Sequence, residues 1–194
     1  MITEYHFPTL IYIKDLPGAV ELNQYLEQQV IKWSQADQKG VKKTNVKGWH
    51  STTDMNKKEE YNVLTKELFA MQDEIFAKEF LDHKPVLGNM WANVNYPGGY
   101  NRPHLHPNSL FSGVYYIKAP IKSGNLMVYD PRPGTQIVMP NRKKNILPAP
   151  LWKEVHYEPI AGRIIMFPAW LWHEVRTNES NDTRISVSFN FLQR

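Results

Sequence analysis

The sequence predicts a mainly β protein with N-terminal helices, its strands closing on themselves as a sandwich or barrel. Three patterns carry that expectation. Helical periodicity is confined to the stretch before Phe80. From Pro85 onward, short β-branched and aromatic runs are separated by Gly, Pro and Asn. The last of these runs alternates strictly between polar and apolar residues.

Taken in order, Thr9-Leu10-Ile11-Tyr12-Ile13 predicts a strand. Asp15 followed by Pro17 marks a helix start, and Val20, Leu26, Val30, Ile31 and Trp33 recur at near-helical spacing as far as Ser34. A second helix is expected from about Lys57 to Phe80, where Tyr61, Leu64, Leu68, Met71, Ile75 and Phe76 follow steps of three and four. Both stripes are expected to pack on a sheet. Between them, Gly48-Trp49-His50-Ser51 predicts a loop or short strand. Further strands are expected over 90–96, 110–118, 125–129, 136–139, 163–167, 173–176 and 184–192. Asp130 to Pro150 carries Pro131, Pro133, Gly134, Pro140, Pro148 and Pro150, the chemistry of an inserted loop.

The 194 residues suffice for one domain with a full core. Without cysteine, disulfides, thiolate metal sites and Cys nucleophiles are excluded. No apolar run reaches the length of a membrane span, and no charged-then-apolar leader opens the chain, so a cytoplasmic protein with no membrane partner is expected. The formal charge of +4 mildly favours acidic partners. Lys and Arg are dispersed apart from Lys42-Lys43 and Arg142-Lys143-Lys144, so nucleic acid is not the expected partner.

The chemistry concentrates in the β half. In His104-Leu105-His106, positions i and i+2 of an extended segment face the same way, so both imidazoles can converge on one point. The run 162–168 is a short strand entering a Pro turn, and His173 follows it at the expected mouth of a barrel. In 184–191, Arg184, Ser186, Ser188 and Asn190 share one face, while Ile185, Val187, Phe189 and Phe191 share the other. If the apolar face packs under the helices, Arg184 becomes a buried cation in need of an anion. Histidines with open coordination positions suit Fe(II). A dicarboxylic keto acid would chelate such an ion and offer its far carboxylate to Arg184, with Ser186 adding a hydrogen bond.

In order and spacing, His104-x-His106, His173 and Arg184-x-Ser186 resemble the Fe(II)/2-oxoglutarate-dependent oxygenase superfamily near its prolyl-hydroxylase-like branch. Trp91-Ala92-Asn93-Val94-Asn95, Ser112-Gly113-Val114-Tyr115-Tyr116, Asp130-Pro131-Arg132, Phe167-Pro168 and Gly48-Trp49-His50-Ser51 extend the likeness to an oxygenase family of phages and bacteria. The resemblance implies a double-stranded β-helix (jelly roll, cupin-like) backed by helices. It implies a single domain over 1–194, with helical support from 1–84 and the β core from 85–194. It also implies Fe(II) and 2-oxoglutarate (2OG), with ascorbate as a stimulant. A protein, peptide or metabolite would be hydroxylated with release of succinate and CO2, in the cytoplasm of a bacterial or phage-infected cell. A homo-oligomer is compatible with this picture.

One position departs from the pattern. The superfamily has Asp or Glu where this chain has His106. Either three histidines bind the metal, or an acid comes from elsewhere, with Asp130 the best candidate. A bulky ligand-capable residue at 106 favours hydroxylation over halogenation. Tyr115 or Tyr116, and Asn93 with Asn95, are expected around the co-substrate. Trp170 and Trp172 are expected to wall the substrate pocket, and Trp49 with His50 to close its mouth. Two other readings stay open: a cupin-type metalloprotein that uses no 2OG, and a non-enzymatic jelly-roll binding module.

Overall fold

The computed structural model describes residues 1–82, 86–134, 137, 143 and 148–192. Its elements in chain order are β1 (Tyr12–Asp15), α1 (Ala19–Ala36), β2 (Asn45–His50), α2 (Asn62–Lys78), β3 (Val86–His104), β4 (Phe111–Lys118), β5 (Leu126–Tyr129), β6 (Glu154–Tyr157), β7 (Arg163–Pro168), β8 (His173–Val175) and β9 (Arg184–Leu192). The strands form one curled antiparallel sheet in the order β1-β7-β4-β9-β3-β8-β5-β6, with β2 added on β3. No helix among the described residues is long and apolar enough to cross a membrane.

The long strand β3 makes the curl. Its first half pairs with β9 from Val86↔Leu192 to Asn95↔Arg184, and its end pairs with β8 through His104↔His173. Between these stretches lies Pro97-Gly98-Gly99, which resembles a turn in sequence but bends the strand instead. Gly98 has φ +80°, and its N–H donates to the Asn178 carbonyl at 2.7 Å. At Gly99 a Cβ would lie 2.5 Å from the Lys47 carbonyl oxygen, so the two backbones approach too closely for a side chain.

Both faces of β9 are buried, for different reasons. Ile185, Val187, Phe189 and Phe191 join Met90, Ala92 and Val94 in one apolar cluster with Leu26 and Val30 of α1 and Leu64, Leu68, Met71 and Ile75 of α2. Burying each such side chain stabilises the fold by about 1.5–3 kcal/mol. The polar face of the same strand turns into a cavity.

Several expectations are corrected at the N-terminal end. The first strand runs to Asp15, where the carboxylate accepts two hydrogen bonds from Arg163 at 2.7 and 2.8 Å. Asp15 therefore ties β1 to β7 and does not cap α1, which begins after Gly18 in the left-handed conformation. Val20 is 64% exposed. It precedes Leu26 by six residues, which places it about 120° away around the helix axis, off the buried stripe. The second helix stops at Lys78, and Phe80 lies beyond it, exposed. The short edge strand β6 has no counterpart among the expected strands. The strand expected over 136–139 falls outside the described residues apart from Ile137, which sits in a turn.

Candidate metal centre

His104 ends β3, His173 opens β8, and the two are directly opposed in the register. His106 lies two residues past the strand, where its backbone N–H is held by the Ala169 carbonyl at 3.0 Å. The turn that carries Ala169 thus fixes the third imidazole against the other two. One ring nitrogen from each histidine lies within 4.8 Å of the others. Ring centroids are 4.3 Å apart for His104 and His173, 5.1 Å for His104 and His106, and 5.2 Å for His106 and His173.

The tautomers follow from the partners. A carbonyl can only accept, so His104 Nδ1–H donates to Arg102 O at 2.7 Å and His173 Nδ1–H donates to Leu171 O at 2.8 Å. Each therefore presents a lone pair at Nε2. His106 Nδ1 meets the Asn190 carboxamide at 3.4 Å. That carboxamide also contacts Ser112 Oγ and the Asn89 carboxamide, both at 2.7 Å. Either partner can donate or accept, so Asn190 can turn its oxygen to His106 without losing a bond. Burial lowers the pKa of all three imidazoles; for His106, to about 4, and for His173, to about 3, the neighbouring rings add to the shift. They stay neutral at physiological pH. A set of three neutral nitrogen donors fits a divalent transition metal.

The three rings open into a cavity of about 390 Å³. Its wall is the inward face of three strands: Asn89, Trp91, Asn93 and Asn95 from β3, Ser112, Val114 and Tyr116 from β4, and Arg184, Ser186, Ser188 and Asn190 from β9. Arg184 is 1% exposed. Its Nη1 donates to the Ser123 and Gly124 carbonyls at 2.5 and 2.7 Å, and its Nε has no partner. Burial lowers its pKa to about 10, which leaves it charged at neutral pH. Burial also pushes the Tyr116 phenol up to about 12.

The local backbone supports that guanidinium. Gly124 has φ +95°, and a Cβ there would lie 2.1 Å from the Arg176 carbonyl oxygen. Gly124→Ala is expected to cost about 2 kcal/mol or more in urea unfolding, since both conformation and space oppose it.

The sequence-predicted residues divide clearly. His104, His106, His173, Arg184, Ser186, Tyr116, Asn93, Asn95 and His50 all line the cavity. Tyr115 does not. It points to the helix side, where its hydroxyl donates to Asn23 Oδ1 at 2.5 Å. Tyr115→Phe is therefore expected to cost about 1 kcal/mol of stability and to leave ligand binding in the cavity unchanged by titration calorimetry. Trp49 is in the core, its Nε1–H bonded to Asp37 O. Trp170 and Trp172 are 55% and 51% exposed and wall no part of this cavity. In the turn 168–172 the small Ala169 and Leu171 go inward, so the two Trp residues face out. Asp130 is not brought to the histidines. It holds Arg132 through both oxygens at 2.9 Å and lines a separate cavity with Tyr5 and Phe7.

Sequence reasoning missed Trp91, Asn89, Asn101, Ser112, Ser188 and Asn190 as site residues. Trp91 stacks on His50, with centroids 5.5 Å apart and planes 10° apart, and its ring also lies 5.8 Å from His106. The signal was available: counting back by twos from Asn95 and Asn93 reaches Trp91 and Asn89.

Comparison with known proteins gives the following. The family model described as Putative 2OG-Fe(II) oxygenase matches residues 89–190, more than half of the chain. No curated protein matches the sequence. Among solved structures, a Pseudomonas putida prolyl-4-hydroxylase superposes with a TM-score of 0.66 at 17% identity, covering 96% of this chain and 94% of that one. A Trichoplax adhaerens prolyl hydroxylase, solved with a hypoxia inducible factor oxygen degradation domain peptide fragment, gives 0.67 at 13% identity, covering 94% and 83%. A viral collagen prolyl hydroxylase from Paramecium Bursaria Chlorella virus-1, solved as its 2OG complex, gives 0.62 at 16% identity, covering 94% and 96%. At these identities the likeness is one of fold.

Proposed function

The chain belongs to the 2OG-Fe(II) oxygenase family, and on that premise we propose that it is a hydroxylase whose metal is held by three histidines. One observation carries the reading. Three converging imidazoles and a buried guanidinium with no carboxylate partner among the described residues line the same cavity.

His104, His106 and His173 would hold Fe(II) through their Nε2 atoms. When bound, the iron with 2OG and O2 supplies the oxidising power, the keto acid leaving as succinate and CO2. The protein's residues do the rest. Arg184 presents its unpartnered edge to the far carboxylate of 2OG, and Ser186, two residues on along the same face, adds a hydroxyl donor. Tyr116, protonated throughout the physiological range, offers a further donor from β4. Asn93 and Asn95 contribute carboxamides from β3. Apolar Val114, Leu126 and Phe167 complete the lining and limit water, which strengthens every charge-assisted bond inside. With His106 occupying the third position, hydroxylation is favoured over halogenation.

The test is 2OG turnover. Protein supplied with Fe(II), 2OG and O2 is expected to release succinate and CO2 in equal amounts even without primary substrate, slowly, and faster with ascorbate. Failure to form succinate both alone and against a panel of peptides and metabolites would return the cupin-type alternative.

A further inference from the structure

We propose that the primary substrate carries an anionic group, a carboxylate or a phosphate, seated at the Lys43 rim of the cavity. The inference rests on the oxygenase reading above and adds a substrate class to it.

The argument is one of charge. Among the described residues, no Asp or Glu lines the cavity; its charged lining residues there are Arg184 and Lys43. Nor does an acid among the described residues act on the site from behind. Among the described residues, the charged groups that perturb His106, His173 and Arg184 are the neighbouring histidines and Tyr116, and His104 feels burial and a backbone carbonyl. Glu174, next to His173 in sequence, is paired with Arg176 at 2.8 Å, and Asp130 is engaged with Arg132.

A divalent ion and Arg184 together carry three positive charges, and 2OG brings two negative ones. A carboxylate at position 106 would close the sum. His106 leaves one positive charge uncompensated in a site shielded from water, a costly state unless an anion joins it. The cavity has a seat for one. Lys43 is exposed at the rim, makes no ion pair among the described residues, and lies close enough to depress the His50 pKa. Thr44 and Thr53 bring hydroxyl donors to the same rim. Behind it, Trp91 stacked on His50 offers an aromatic wall for the rest of the substrate.

The test uses protein loaded with Co(II) and N-oxalylglycine, a non-reactive 2OG mimic, and titrated calorimetrically with benzoate, phenyl phosphate and benzamide. The three probes share a ring and differ in charge. At least one anion is expected to bind ten-fold or more tightly than benzamide, and the tighter of the two names the group. Lys43→Met is expected to cut that preference three-fold or more, and His106→Asp, which returns the missing negative charge, to abolish it. Equal binding of all three probes, or a preference untouched in both variants, overturns the proposal. Loading is read separately from the visible bands of Co(II). Uptake without anion preference sinks this inference alone, whereas failure of uptake in the parent protein sinks the oxygenase reading and the inference with it.

Discussion

Alanine at His173 is expected to strip the metal from the protein and to abolish 2OG turnover. The residue is 4% exposed, with Nδ1–H fixed on the Leu171 carbonyl at 2.8 Å, so Nε2 has one direction available. Its imidazole is neutral at physiological pH, and no proton has to leave before a metal binds. Disturbing the group behind a ligand usually costs about 10–100-fold in metal affinity, so loss of the ligand itself is expected to exceed about 100-fold. His104→Ala is expected to do the same, because its ring faces His173 across the β3–β8 ladder. The measurement is metal content after Co(II) loading and desalting, with circular dichroism to check that the fold persists. Metal content equal to the parent in both variants would remove the proposed centre.

Much of this site could be read from residue order because its parts are local. An i, i+2 pair on an extended segment needs no long-range knowledge, and neither does a strand, a Pro turn and a histidine in succession. The alternation of β9 was equally plain, but its meaning was not. A polar face on a strand normally meets water, and here it meets a cavity because helices cover the other side. The same limit explains the Tyr115 and Tyr116 ambiguity. Adjacent strand residues point oppositely, so only one can reach the cavity, and the long-range packing of α1 on β4 decides which. Tyr115 reaches Asn23 of α1, and Tyr116 turns inward.

The errors had a common origin in chain direction at turns and bends. Trp170 and Trp172 flank the route to His173, but the tight turn between β7 and β8 buries Ala169 and Leu171 and leaves both Trp rings outside. Asp130 follows β5, whose Val128 is paired with His173, yet two residues further on its carboxylate grips Arg132. The full length of β3 was hidden by Pro97-Gly98-Gly99. That triplet ends most strands and bends this one, because Gly98 and Asn178 supply the hydrogen bonds across the bend.

Arg184→Met is expected to raise the KM for 2OG by about 100-fold or more while altering the fold little. The guanidinium lines the cavity and is anchored by Nη1 on the Ser123 and Gly124 carbonyls, which leaves Nε and Nη2 for a ligand. No carboxylate among the described residues reaches it. Two charge-assisted bonds to a ligand carboxylate, each about 1.5–3 kcal/mol, correspond to a factor of about 100 or more in affinity. Methionine keeps much of the side-chain bulk and removes a buried cation that two carbonyls only partly compensate, so lost anchoring and relieved charge oppose each other in the apo protein. The contrast is then sharpest in ligand-induced stabilisation. With metal present, 2OG is expected to raise the melting temperature of the parent and to leave Arg184→Met unchanged at the same concentration. Arg184→Lys should fall between them, since it keeps the charge and loses the planar fork. A methionine variant with the parent's KM and thermal shift would mean that the co-substrate binds elsewhere, and the buried guanidinium would then serve only to hold the 123–124 turn against β9.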